Sequence, residues 1–139
     1  MTFSVDQFRL DGKVAVVTGA GGRGNSIGRA YALGLAKAGA AVAVADLNAD
    51  GARAVAEEIV AAGGRAIAVG VDITKPDSVA SMAKATADAF GGVDILVNNA
   101  ALMAELGHLQ AVNIPLEQWN RILDVNVTGA LNCNRKSVV

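Results

Sequence analysis

Gly19, Gly21 and Gly24 follow a G-x-G-x-x-G spacing within the stretch VVTGAGGRGNSIGRA, Val16 to Ala30. An apolar run precedes these glycines and a helical pattern comes after them. A strand, a glycine-rich turn and a helix N-terminus together form a cradle for phosphate. The helix presents unpaired N–H groups and the positive end of its dipole, and glycine lets an anion approach the backbone. Thr18, Gly19, Gly21, Arg23, Gly24, Ser26, Ile27 and Gly28 are the candidate contacts at this junction. The spacing alone also suits a plain turn, and its neighbours give it weight.

Four further positions extend this chemistry. Asp46, followed by Leu47, closes the second apolar run. A carboxylate there accepts hydrogen bonds from ribose hydroxyls and repels a 2′-phosphate, which favours NAD over NADP. The competing reading is an exposed loop aspartate, and Arg23 pulls weakly toward the phosphorylated cofactor. Asp72, followed by Ile73, ends the third run. It would either hydrogen-bond an adenine amino group or help cap the helix after it. Asn98-Asn99-Ala100 ends the fourth run, as a ligand crevice at the strand ends would require or as an asparagine turn. Asn126 lies on the apolar stripe Trp119–Ile122–Leu123–Asn126–Ala130, where a buried amide must find partners, structural or functional.

The elements that position these residues follow from hydrophobic pattern. Val14–Val17, Ala41–Ala45, Ala66–Val69 and Val93–Val97 are short and near-continuously apolar, as strands buried on both faces of a parallel sheet are. Helical patterns lie between them. Ile27, Ala30, Tyr31, Gly34 and Ala38 mark one face, with Gly39 as a stop. Ala52, Val55, Ala56, Ile59 and Val60 mark the second, and Val79, Met82, Ala83, Thr86 and Phe90 the third. Thr74 is a capping candidate ahead of Pro76 and Asp77. A fourth helix starts near Pro115 and carries the Asn126 stripe on to Cys133. Alternation of strand and helix gives βαβ units with right-handed crossovers. The longest connection, Ala100 to Asn113, suits a loop over a ligand, with Leu102, Met103, Leu106 and His108 near its pocket.

Length and charge narrow the class. The chain has 139 residues, one domain's worth, with 12 basic and 13 acidic side chains. That balance argues against nucleic acid and anionic membrane as partners. One histidine and one cysteine leave no metal cluster, and the lone cysteine suits a reducing, cytoplasmic setting. The first residues lack a signal-peptide pattern, and no run reaches the roughly 18 apolar residues of a membrane span.

LDGKVAVVTGAGG, IGRAYALGLAKAGAAVAVADLN, AVGVDIT, GGVDILVNNA and DVNVTGALN together resemble the short-chain dehydrogenase/reductase family nearly end to end. The resemblance implies a doubly wound, Rossmann-like α/β sheet, here incomplete, with strand order 3-2-1-4. It implies an NAD(P)-linked hydride transfer between an alcohol and a carbonyl. Gly19 and Gly28 would shape the cofactor loop, Asp46 would bind ribose, and Asp72 would contact adenine. Asn98-Asn99-Ala100 would steady the sheet, and Asn126 would hold a water in a proton relay, the one catalytic assignment.

Three departures accompany it. The glycine loop is about three residues longer than the family pattern, with Ser26 where a glycine belongs, and Ala101 replaces another glycine. Most consequentially, the only tyrosine is Tyr31, with Leu35 rather than lysine four residues later. The resemblance places the family's Ser and Tyr-x-x-x-Lys beyond Val139. The expectation is a dinucleotide-binding domain, residues 1–139, truncated before those residues, that binds NAD weakly without hydride transfer of its own. The alternative is a non-catalytic dinucleotide-binding module or a truncated gene product without activity of its own. Strand four would be an open edge and Trp119 and Leu123 partly exposed, so association through the edge strand and last helix is expected.

Overall fold

A computed structural model describes residues 4–22, 26–103 and 110–136. The Leu106 and His108 expectations, and those for Arg23 and Gly24, lie outside the described residues. β1 (Val14–Thr18), β2 (Ala41–Asp46), β3 (Arg65–Gly70) and β4 (Ile95–Val97) form one parallel sheet in the order β3-β2-β1-β4. Val17 pairs with Val44 on one side and Val97 on the other. α1 (Ile27–Lys37), α2 (Ala49–Ala61) and α3 (Pro76–Phe90) are the crossovers. α4 (Leu116–Leu123) passes through a π-helical segment, Asp124–Gly129, into α5 (Ala130–Lys136).

Side chains alternate along β1 and β2 and feed two cores. Val17, Val42 and Val44 pack with Ala32 of α1 and with Val55 and Ile59 of α2. Val16, Ala43 and Ala45 pack on the other face with Val79, Met82 and Cys133. β1 and β2 are buried throughout, as their continuous apolar runs predict. β3 departs from that expectation, because at the sheet edge its residues are exposed or half-buried and none is fully buried. β4 is half-buried and only three residues long, with Asp94 just before it. The Asp94 carboxylate accepts from the Val14 amide at 2.8 Å, so a side chain caps the ladder at the start of β1. That bond holds the Asp94 carboxyl below its usual range, helped by Lys13.

Three helices sit differently from their patterns. α1 buries Gly28 and Ala32, while Ile27 and Tyr31 face solvent. Its rotation is set by backbone contact at Gly28, not by its largest apolar side chains. Val60 of α2 is likewise exposed. The cap of α3 is Lys75, without a side-chain bond, because Thr74 is engaged with Asp72. Pro76 and Asp77 hold the expected first-turn places. In the last helix the π segment takes more residues per turn and rotates the side chains beyond it. Ile122, Gly129, Asn132 and Cys133 are buried, whereas Trp119 and Leu123 stay exposed. No helix among the described residues is long and apolar enough to cross a membrane.

Candidate functional site

The chain leaves β1 toward β2 on one side and places β4 on the other. Open parallel sheets bind ligands at the carboxyl ends of strands beside such a reversal. A cleft of about 710 Å³ opens there. It is lined by Gly19, Ser26, Ile27 and Gly28 from the glycine junction, and by Asp46 and Leu47 from β2. Asp72 and Ile73 come from the end of β3, and Asn99 and Ala100 from beyond β4. Ten predicted residues from four separate segments therefore meet in one cavity of ligand size.

The glycine junction is built for close approach. Gly19 has φ +67°, and a Cβ there would lie 2.7 Å from Ala100 Cα. A Cβ on Gly28 would overlap the Gly19 carbonyl oxygen and lie 2.5 Å from Asn99 Nδ2. These two glycines bring the α1 N-terminus against β1, where its unpaired amides can meet an anion. Ser26 is the N-cap of α1, its Oγ accepting from the Arg29 amide at 3.3 Å. Gly21 does not line the cleft. It packs beneath α2, where a Cβ would lie 2.6 Å from the Ala52 nitrogen.

Thr18 is buried and also outside the cleft. Its hydroxyl donates to the Val97 carbonyl at 3.2 Å. It accepts from the amides of Asn99 at 3.1 Å and Ala100 at 3.2 Å. Asn99 returns Nδ2 to the carbonyls of Thr18 and Gly19, each at 3.0 Å. Asn98 is different: it is exposed and donates to Asn134 Oδ1 of α5 at 3.3 Å.

Asp46 accepts from the Gly21 amide through Oδ2 and from the Asn48 amide through Oδ1, both at 2.8 Å. Each carboxylate oxygen retains a lone pair for a ligand hydroxyl. Asp72 is held locally and also reaches the cleft. Oδ1 accepts from the Thr74 amide at 3.0 Å and its hydroxyl at 2.7 Å, yet the residue lines the cleft. The Thr74 hydroxyl bond holds the Asp72 carboxyl below its usual range, against the opposing effect of desolvation.

Asn126 lies behind the cleft wall. Its Oδ1 accepts from the Leu102 amide at 2.8 Å, and its Nδ2 donates to the Leu102 carbonyl at 3.1 Å. The amide is thus structurally satisfied and fixes a cleft-lining residue. Arg121, Asp124 and Val125 of the same helix also line the cleft. Pattern reading missed Arg121 and Asp124 because polar residues of an amphipathic helix read as solvent-facing, and Val125 because it lies off the predicted apolar stripe. Tyr31, 49% exposed on the outer side of α1, does not line the cleft. No group of metal-binding side chains occurs among the described residues.

The family model described as short chain dehydrogenase matches residues 13–138. An uncharacterized oxidoreductase of Mycobacterium tuberculosis is 49% identical over 126 residues, covering 91% of this chain and 50% of the relative. The 7alpha-hydroxysteroid dehydrogenase of Escherichia coli is 41% identical over 125 residues, 90% of this chain and 46% of that protein. A short-chain type dehydrogenase/reductase of Mycobacterium marinum superposes with a TM-score of 0.87 at 39% identity, covering 96% of this chain and 51% of that one. A 7 alpha-hydroxysteroid dehydrogenase complexed with NADH and 7-oxo glycochenodeoxycholic acid gives 0.87 at 38%, covering 98% and 51%. The chain spans about half the length of these relatives.

Proposed function

Because this chain belongs to the short-chain dehydrogenase family, we propose that its cleft binds a nicotinamide dinucleotide, NAD in preference to NADP. In this reading the chain is the cofactor-binding part of an oxidoreductase acting on an alcohol or carbonyl. The bound nicotinamide supplies or receives the hydride. The chain's own residues bind and orient it.

The observation that carries the reading is Asp46. Its carboxylate lines the cleft at the tip of β2 and anchors Gly21 of the glycine junction. Ribose hydroxyls would donate to its remaining lone pairs, and a 2′-phosphate would be repelled. Hydrogen bonds to a charged group contribute about 1.5–3 kcal/mol, so the NAD preference should exceed about tenfold. The α1 N-terminus beside Gly19 and Gly28 would take the pyrophosphate, and Asp72 the adenine. Asn126 enters as a positioning residue through Leu102, with one Oδ1 lone pair and one Nδ2 hydrogen left for a relay water.

The described residues bring no tyrosine to the cleft, and this favours a second reading, a dinucleotide-binding module without catalysis of its own. Calorimetric titration with NAD, NADP and ADP-ribose tests the cofactor assignment. Tighter NAD binding is expected, and equal or reversed affinities would overturn it. Hydride transfer followed at 340 nm separates the two readings when it is measured on a polypeptide that also carries the family's Ser and Tyr-x-x-x-Lys, where only the first reading expects it. The buried lone cysteine fits a reducing, cytoplasmic compartment. Exposed Trp119, Leu123, Val127 and Leu131, with the edge of β4, are where self-association would occur. Sedimentation would detect it.

A further inference from the structure

The last helix holds a buried polar side chain that the cofactor reading does not use. Asn132 is 9% exposed and donates Nδ2 to the Ile73 carbonyl at 3.0 Å. About one turn earlier, a Cβ on Gly129 would lie 2.6 Å from Ile73 Cδ1. Ile73 is therefore gripped by one helix at its carbonyl and at its side chain. It is buried, lines the cleft, and comes directly after Asp72.

The hydrogen bonding around this pair is uneven. The Asp72 amide donates to Ser78 Oγ at 3.0 Å, and Asp72 Oδ1 is taken up by Thr74. The Ile73 amide and Asp72 Oδ2 have no partner among the described residues. A donor and an acceptor on adjacent cleft-lining residues complement the edge of adenine, where a ring-nitrogen acceptor adjoins an amino donor.

We propose that Asn132 is a positioning residue for the adenine end of the cleft. It fixes the Ile73 peptide, so that the Ile73 amide and the Asp72 carboxylate keep one mutual geometry. The proposal depends on the dinucleotide reading above. Without the Nδ2 donor the Ile73 carbonyl is buried and unpaired, and the peptide must turn to find water.

Titration of wild type and Asn132→Leu with NAD and with nicotinamide hypoxanthine dinucleotide tests this. The analogue replaces the amino donor by a carbonyl and the ring acceptor by N–H, reversing both contacts. Wild type should prefer NAD. In Asn132→Leu the NAD affinity should fall about tenfold while the analogue's changes less than about twofold, so the preference collapses. A purely structural role lowers the folded fraction and scales both affinities alike, leaving the ratio intact. An unchanged ratio in the variant, or no preference in wild type, overturns the proposal and leaves the dinucleotide reading standing. Wild type that binds neither ligand overturns both. Asn132→Ala, which removes the donor without adding apolar bulk, replaces the leucine variant if that variant does not fold.

Discussion

Gly28 and Gly34 belong to the same helix, α1, and the same substitution should move the protein in opposite directions at the two sites. At Gly34 an added Cβ has nothing within 4 Å. Alanine there gains helix propensity and narrows the unfolded ensemble, so Gly34→Ala should stabilise by about 0.5–1 kcal/mol. At Gly28 the Cβ would overlap Gly19 O and lie 2.5 Å from Asn99 Nδ2 and 2.9 Å from Ala20 Cα. None of these atoms yields easily. Two are backbone, and Asn99 is tied to Thr18 and Gly19. Relief requires α1 to retreat from β1 by about 1 Å, which loosens the packing at Ala32 and forfeits dispersion contacts. Overpacking costs about 1–3 kcal/mol, and the propensity gain of about 0.5–1 kcal/mol offsets part of it, leaving a net loss of about 1 kcal/mol. With a urea slope of about 2 kcal/mol/M, the Gly28→Ala midpoint should drop by about 0.5 M, while Gly34→Ala rises by a few tenths. Far-UV circular dichroism in urea measures both. The retreat also withdraws the α1 amides, so NAD affinity should fall at least about tenfold in Gly28→Ala and stay unchanged in Gly34→Ala. A Gly28→Ala protein with raised stability and wild-type affinity would refute the packing argument.

Asp46→Asn sets an amide against two backbone N–H groups and removes the charge that opposes a 2′-phosphate. Titration should show the NAD-to-NADP preference falling by about tenfold or more, and a retained preference would contradict the role given to Asp46. Asp94 has a lowered pKa, owing first to the Val14 amide. Its contribution is therefore complete above the ordinary carboxylate range and is lost as pH falls through and below it. Urea midpoints between about pH 6 and pH 3 should decline, and Asp94→Asn should flatten that decline. Asn126→Leu leaves both polar groups of Leu102 unpaired. A loss of about 1–3 kcal/mol is expected, with faster hydrogen exchange at the Leu102 amide than in wild type.

The family resemblance implies the sheet order and the place of Gly28, whereas residue pattern predicts the four short strands, with full burial holding for β1 and β2, and the placing of Gly19, Asp46 and Asp72 at strand ends. The latter arise from runs of apolar residues and from glycines whose reason is local. The facing of α1 was not legible, because Gly28 orients the helix through backbone contact and carries no side chain to signal it. Tyr31 and Ile27 consequently drew the expected face to the solvent side. The exposure of β3 depends on its place at the sheet edge, and its composition does not register that. The π segment changes which residues of the last helix point inward, so a single stripe could not find Asn132. Ile73 O, its partner, is a backbone atom with no sequence signature. Gly21 and Asn98 fit the motif by type, yet one serves α2 packing and the other ties β4 to α5.

The bonds that join β1 to β4 also bear on how quickly the protein forms and falls apart. Thr18 meets Val97, Asn99 and Ala100, and Asp94 meets Val14, across about 80 positions of chain. The pairing of β2 with β3, by contrast, closes over a single intervening helix. Loop-closure entropy and contact order make the long-range seam slow to form, so the β2–α2–β3 unit should assemble ahead of it. The cleft exists only once that seam has closed. A ligand that binds there stabilises contacts absent from the early folding nucleus, and so acts chiefly by slowing unfolding rather than by hastening folding.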